Sequence, residues 1–267
     1  RLAERSQEHL ASLQLPDSWT LLIQENFGAM DVLPGKITYC PANGIPWVPN
    51  PNVQSYLAYT AFLDKHLAHH FTTASGPDFL LIEWQGFDQR SLPYSVPATW
   101  RALLKHYRLV DVEPERELLL LVRRAIPAEF SPLPSTEETL SIGQWVEAPS
   151  TEGMLLAAPH FQLTRQGLLM KTALRIPPVF IEFELANGET QRRRILPESA
   201  ANGIVVNRPP LALFDAARAF SELPPRSVAR FRITGPGTRY YIQEMPMTLT
   251  QVNLIVRSEN HLARAER

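Results

Sequence analysis

Three charged side chains follow a short apolar segment and could carry acid–base chemistry. Residues 79–82 are all apolar, as in a buried strand, and Glu83, Asp88 and Arg90 come soon after them. Because α/β folds place functional groups at the ends of strands, these side chains are candidates for a catalytic site. Two carboxylates beside an arginine can transfer protons or grip a sugar hydroxyl. The alternative is a turn that an ion pair between Asp88 and Arg90 holds together.

A polar and aromatic segment upstream of them is the best candidate for a ligand-binding surface. It combines prolines, amides, hydroxyls and aromatic rings, a composition typical of a structured loop that faces a ligand or a partner. Ser55 is expected to cap the next helix, whose free backbone amides could bind a sugar hydroxyl or a phosphate. The alternative is that the tyrosines only pack the loop onto the helix. The predicted ligand-binding residues are Trp47, which is expected to be exposed, and Gln54, Ser55, Tyr56, Tyr59 and Thr60.

Three histidines lie on residues 55–71, a segment whose apolar residues follow a helical spacing. His66 and His70 are four residues apart and could share one helix face with a metal ion, with His69 beside them. No glutamate follows His66, so the metalloprotease signature is absent. Histidines near the C-terminus of a helix also suit the helix dipole. We therefore predict no metal site and no cofactor.

Composition limits the classes of protein to which this chain can belong. The 267 residues are 45% hydrophobic and 20% charged, with a net charge of -1, so a nucleic-acid partner is not expected. The single cysteine, Cys40, cannot form a disulfide within the chain. No segment has the roughly 18–20 apolar residues of a membrane span. Because the chain begins at Arg1 and not at a methionine, we expect it to be part of a longer or processed protein.

The order of the predicted elements divides the chain into two domains. Residues 1–126 alternate helices and strands, which favours an α/β domain. Residues 127–139 are rich in proline, serine and glutamate and are predicted to form a linker. The helices predicted in the first domain cover residues 2–13, 55–71 and 97–107, and the strands cover 19–23, 77–84, 107–113 and 117–123.

The second predicted domain, residues 140–267, consists mostly of short strands. Asn187 and Gly188 indicate a hairpin, and Gln166 with Gly167 indicates another turn. Short strands at regular spacing are typical of a β-sandwich, here jelly-roll-like. Only residues 210–223 are predicted to be helical, and the predicted strands cover residues 155–163, 168–176, 179–186, 190–196, 204–206, 228–234 and 239–256.

An ordered set of motifs resembles a family of bacterial membrane proteins. The set runs from Asp31-Val32-Leu33-Pro34 through residues 43–49 to Gln54-Ser55-Tyr56, and continues at residues 77–81, 88–90 and 97–107. It resembles the soluble extracytoplasmic region of polytopic proteins of unassigned function, which are similar to membrane glycosyltransferases that use lipid-linked sugars. The resemblance covers roughly residues 25–123. It implies that the catalytic acids lie in loops between membrane helices that this chain does not include.

We therefore predict a non-catalytic, periplasmic or otherwise extracytoplasmic domain of a membrane-anchored protein. It would support the binding or assembly of a glycan or glycoconjugate at the cell envelope, attached to a membrane-spanning region. One alternative is a soluble carbohydrate-active enzyme that uses Glu83 and Asp88 as acid and base. A second alternative is a structural scaffold for a protein complex.

Overall fold

The computed structural model of this chain describes residues 10–52, 54–86, 88, 90–149 and 151–256. Over these residues the fold is mixed α/β, with thirteen strands in three antiparallel-rich sheets and eight α-helices. Within the described ranges, no helix combines the length and the apolar character that crossing a membrane requires. The helix predicted over residues 2–13 lies mostly outside the described residues.

The first sheet has helices on both faces. Along its second strand, Leu80 and Ile82 join one buried cluster, whereas Phe79 and Leu81 join another on the opposite face. Burial on both faces explains why the central strands are unbroken apolar runs. The strands are β1 (Met30–Leu33), β2 (Phe79–Glu83), β3 (Tyr107–Glu113) and β4 (Leu118–Arg123), in the order β1-β2-β4-β3 with only β1 and β2 parallel. The helices are α1 (Asp17–Glu25), α2 (Tyr39–Ala42), α3 (Ala61–Thr72), α4 (Leu92–Ser95) and α5 (Pro97–His106).

The two other sheets share one buried cluster. It takes Ile181 and Phe183 from one sheet and Met247 and Leu249 from the other. The first of these sheets has the order β10-β9-β12-β7 and contains β7 (Val146–Glu147), β9 (Val179–Leu185), β10 (Thr190–Ile195) and β12 (Val228–Thr234). The second contains β5 (Glu129–Pro132), β6 (Thr136–Ser141), β8 (Met154–Pro159), β11 (Ile204–Val205) and β13 (Glu244–Ile255), in the order β11-β8-β13-β5 with β6 also paired to β13. The helices of this part are α6 (Arg165–Ala173), α7 (Pro197–Ala200) and α8 (Leu213–Phe220).

Much of the predicted secondary structure is confirmed. The helix predicted over residues 97–107 is α5, with Pro97 at its first position. The predicted strand pair is β3 and β4, which lie side by side and antiparallel. The predicted hairpin joins β9 to β10, and Gly188 there has a φ of +83°, which glycine adopts without strain.

Residues 19–23 are wrongly predicted as a strand and lie in α1. Trp19 and Ile23 are four residues apart and are both buried in the core beneath the first sheet. This spacing matches one face of a helix. Five residues are too few to separate a helical period from a strand period, so the error arises from the shortness of the segment.

Residues 168–176 are also wrongly predicted as a strand, and most of them lie in α6. Thr164 caps this helix, because its Oγ1 accepts a hydrogen bond from the Gly167 amide at 3.0 Å. Gly167 is therefore inside the helix and not in the predicted turn. A Cβ atom at this position would lie 2.2 Å from the carbonyl oxygen of Tyr240, so glycine allows α6 to sit directly on that backbone.

The predicted cap of the helix after the polar segment is wrong by five residues. α3 begins at Ala61, and its cap is Thr60, whose Oγ1 accepts a hydrogen bond from the Leu63 amide at 3.2 Å. Ser55 instead begins a short 3-10 helix and is buried. Its amide donates to the carbonyl oxygen of Pro34 at 2.8 Å, so Ser55 fastens the polar segment to the end of β1.

The predicted linker, residues 127–139, contains β5 and most of β6. These two strands pair in succession with the same edge of β13, β5 with residues 252–255 and β6 with residues 244–249. Prolines are tolerated in edge strands, which explains how such a sequence joins a sheet.

Side chains from each half of the chain enter the buried cluster of the other half. From the second half, α8 places Phe220 edge-on against Trp100, with ring centroids 4.9 Å apart. From the first half, Tyr94 packs against Phe183, with ring centroids 5.8 Å apart. These buried aromatic contacts hold the two halves together.

The stability of this packing is expected to depend on pH through His106, at the end of α5. Burial, with smaller contributions from Lys105 and Arg123, lowers the pKa of His106 from 6.5 to about 4. The unfolded chain therefore binds a proton between these pH values where the folded protein does not. The free energy of unfolding should fall by about 1–3 kcal/mol as the pH drops from 6.5 to 4.

Urea denaturation across this pH range measures the effect. Replacing His106 with glutamine should remove most of the histidine-dependent slope, because glutamine does not titrate. The exposed His69, replaced in the same way, is the control and should leave the slope unchanged. Equal slopes in the wild type and in the His106→Gln variant would show that His106 is not the group responsible.

Candidate functional site

A groove with a cavity of about 590 Å³ opens between Tyr59, which precedes α3, and the second half of the chain. We call it the Tyr59 groove. Three cationic side chains line it, namely Lys171 from α6, Arg175 from the segment that follows, and Arg194 from β10. Its apolar lining includes Phe161, Leu163, Leu174, Ile176, Val179 and Tyr241.

One wall of the Tyr59 groove consists of α6 and of Leu174, which follows it, and this wall leaves large apolar side chains exposed. Leu168 and Leu174 line the groove and are 55% and 65% exposed, and Leu169 beside them is 70% exposed. The cap at Thr164 and the close contact at Gly167 hold the start of this helix in place. The apolar surface is therefore presented by a fixed element of the fold.

At the polar end of the groove, Asp88 accepts contacts from three arginines. Its Oδ2 lies 2.6 Å from Arg194, 3.5 Å from Arg90 and 3.6 Å from Arg175. Partial desolvation raises the pKa of Asp88, but the guanidinium groups outweigh it and hold this pKa below its ordinary value of 3.8. The sequence predicts the contact with Arg90, whereas Arg194 lies 106 positions away and is brought in only by the fold.

Arg90 joins this arginine cluster to the predicted ligand-binding surface. It is buried, its guanidinium carbon lies 5.1 Å from the centre of the Tyr59 ring, and its Nη1 donates to the carbonyl oxygen of Tyr56 at 3.3 Å. Tyr59 is 41% exposed and lines the groove. The structure thus brings together Tyr59, Asp88 and Arg90, which the sequence assigns to two separate candidate sites.

Glu83 has a different partner. Its carboxylate pairs with Lys36, and it lines a separate cleft with Tyr39 and Arg116. The two carboxylates that the sequence places in one catalytic site are therefore each neutralised by different cations. This arrangement provides no pair of neighbouring carboxyl groups with opposed roles.

Most of the other predicted ligand-binding residues stabilise the conformation of the local backbone. Ser55 and Thr60 are tied to Pro34 and Leu63, as described above, and Gln54 packs against Gly35, where an added Cβ would lie 3.1 Å from its side chain. The prediction that Trp47 is exposed is wrong. This residue is half-buried, and its Nε1 donates to Asp31 at 3.0 Å.

Asp31, the first residue of the motif set described above, is a buried carboxylate to which the sequence assigns no role of its own. Its Oδ1 accepts hydrogen bonds from Trp47 Nε1 and the Val32 amide, and its Oδ2 accepts one from Asn50 at 2.8 Å. Burial raises the pKa of this carboxyl, although the three hydrogen bonds act in the opposite direction. Asp31 ties the proline-rich loop to β1, and a charged residue inside an apolar strand is the signal that could have found it.

Two of the histidines on α3 pack against neighbouring phenylalanine rings. His66 stacks on Phe62 with ring centroids 6.3 Å apart, and His70 lies edge-on to Phe71. Within the part of the chain that the structure describes, no group of three or more potential ligand side chains could hold a metal ion.

The fold and the groove define a mixed α/β protein with a partly apolar, partly cationic cleft between its two halves. Comparisons with protein-family models, with curated proteins and with solved structures find no match to this chain. The proposals below therefore depend on its own residues and on the resemblance described above.

Proposed function

We propose that this chain is a non-catalytic binding module that holds a glycan or glycoconjugate in the Tyr59 groove. The observation that carries the proposal is the position of Tyr59, an exposed aromatic ring at the edge of a 590 Å³ cavity that also presents hydrogen-bond donors from Arg175 and Arg194. Aromatic rings provide a flat apolar face for the C–H side of a sugar, while the arginines can bind its oxygens.

The same geometry weighs against the enzyme alternative. A general acid must hold a proton near neutral pH, which usually requires a raised pKa. Asp88 has a lowered pKa and faces three arginines, and Glu83 pairs with Lys36. Both side chains are thus better suited to electrostatic and structural roles than to proton transfer.

The setting of this module is part of the proposal and rests on the resemblance alone. We propose that it lies outside the cytoplasm, joined to a membrane-spanning region of a longer protein. We also propose that residues 1–126 and 140–267 are two domains and that the second is a jelly-roll-like sandwich. The cluster shared by the β9 and β13 sheets supports a sandwich.

Replacing Tyr59 with alanine is expected to weaken sugar binding about five- to ten-fold, because it removes the aromatic face. Isothermal titration calorimetry of the whole chain with a panel of neutral and acidic oligosaccharides measures the affinities. The control is Phe62→Ala, which removes an aromatic ring that is 74% exposed on α3 and does not line the groove. The proposal fails if no member of the panel binds, or if Phe62→Ala reduces affinity as much as Tyr59→Ala.

A further inference from the structure

The arginine cluster carries more positive charge than its own carboxylate can neutralise. Arg90, Arg175 and Arg194 all lie within 3.6 Å of a single oxygen of Asp88. Lys171, the other cation of the groove, pairs with Glu198 and so adds nothing to this excess. Like charges held this close repel each other unless an anion lies between them.

Two guanidinium nitrogens of this cluster lack hydrogen-bond partners. The Nε atoms of Arg90 and Arg194 are both buried, and neither has an acceptor among the described residues. The side chain of Arg194 is 12% exposed and that of Arg90 is 2% exposed. A buried donor without an acceptor is costly, and because Arg194 lines the groove whereas Arg90 does not, the Nε of Arg194 indicates that a further acceptor belongs at this end of the groove.

Asp88 is placed so that another anion can share or take over its contacts. Its side chain is 42% exposed, and its backbone φ is +55°, in the left-handed region. Of its three arginine partners, Arg175 and Arg194 line the Tyr59 groove and are accessible from it. A phosphate monoester shares up to two negative charges over three terminal oxygens, so it matches two guanidinium groups better than a single carboxylate does.

The rest of the groove is suited to a hydrocarbon. Beyond the two arginines, its lining is mostly apolar, and that apolar surface continues through Leu168 and Leu169 of α6 and through Leu174, the residue that follows α6. Exposed apolar side chains grouped beside a cavity mark a binding site more often than chance exposure. The charged end and the apolar end together fit an amphipathic molecule.

We propose that the Tyr59 groove binds an amphipathic anion, with a phosphate or phosphate-ester group on Arg175 and Arg194 and an apolar chain along α6. This inference rests on the proposed function, because it concerns the same groove. It specifies two further properties of the ligand, namely a negative charge and an apolar chain. Arg90 supports the site from behind Tyr59 without touching the ligand.

Isothermal titration of the whole chain with octyl phosphate, octyl glucoside and inorganic phosphate, each as monomers in solution, tests the inference. Octyl phosphate should bind at least about ten-fold more tightly than either of the others, because only it combines a negative charge for the arginines with an apolar chain for the rest of the groove. Arg175→Gln and Arg194→Gln should each weaken it at least about ten-fold. Arg165→Gln removes the same charge from an exposed position on α6 outside the groove lining and should change nothing.

The outcomes separate this inference from the proposed function. If octyl glucoside or a neutral oligosaccharide binds as tightly as octyl phosphate, the anion inference is overturned and the proposed function stands. If octyl phosphate binds and no carbohydrate does, the inference stands and the proposed function fails. An equal effect of Arg165→Gln and Arg175→Gln would overturn the inference, because it indicates unspecific charge attraction.

A vesicle arm identifies the source of the phosphate group. Vesicles of phosphatidylcholine with and without phosphatidic acid are offered to the wild type and to the Arg175→Gln variant. Retention that requires both phosphatidic acid and Arg175 supports a lipid head group in a bilayer as the ligand. Binding of octyl phosphate without vesicle retention supports a phosphate ester that reaches the groove from solution.

Discussion

Replacing Asp64 with alanine is expected to lower the free energy of unfolding by at least about 3 kcal/mol, because several buried donors lose their acceptor together. Asp64 is fully buried on α3, and its carboxylate accepts hydrogen bonds from the amides of Ala98 and Thr99 at the start of α5. It also accepts one from the Thr99 hydroxyl at 2.9 Å and one from Asn202 at 2.8 Å. The carboxylate thus links two helices of the first half to the second half.

Urea denaturation with tryptophan fluorescence measures this loss. Lys65→Ala is the matched control, because Lys65 is exposed on the neighbouring position of the same helix and should change stability by less than about 0.5 kcal/mol. Asn202→Ala should destabilise less than Asp64→Ala, since it removes one of the donors and leaves the other contacts in place. An Asp64→Ala variant as stable as Lys65→Ala would contradict the account of how the halves are joined.

Replacing Phe220 with alanine is expected to cost about 3–5 kcal/mol, the range for a buried aromatic side chain in a close-packed core. Phe220 is 1% exposed and lies against Trp100, which in turn packs against Trp84 with ring centroids 6.2 Å apart. The substitution leaves a cavity at the point where α8 enters the buried cluster of the first half. It therefore weakens the contact between the two halves and not only the local packing of α8.

The same helix supplies the control for this experiment. Phe214 is 60% exposed on α8, and Phe214→Ala should change the free energy of unfolding by less than about 0.5 kcal/mol. Thermal and urea unfolding of both variants, compared with the wild type, give the two values. If Phe220→Ala proved as mild as Phe214→Ala, α8 would not be a structural element of the first half.

Strands with a clear pattern could be predicted from the sequence, and helices with an ambiguous pattern could not. The apolar runs of β2 and β4 indicate burial on both faces, and the structure places buried clusters on both sides. Residues 168–176 contain too many apolar positions to show a helical period. The capping signal at Thr164, three residues before Gly167, would have identified α6.

The candidate site could be predicted only in part, because its groups come from distant positions. Tyr59, Asp88 and Arg90 lie within about thirty residues of each other, and the sequence names all three. Arg175 and Arg194 reach Asp88 from the second half, and no local rule of spacing pairs residues that far apart. Arg194 is largely covered although it lies on an edge strand, and only the fold determines this.

The most direct test of the claim that the Tyr59 groove is a ligand site is a magnetic resonance titration of the whole chain. Arginine Nε groups and leucine methyl groups are labelled, and octyl phosphate is added. If the groove binds this ligand, shifts are expected at Arg194 and Arg175 and at the methyl groups of Leu168 and Leu174, with Arg165 and Arg208 unchanged. Shifts at other surfaces, or none at these four residues, would contradict this claim.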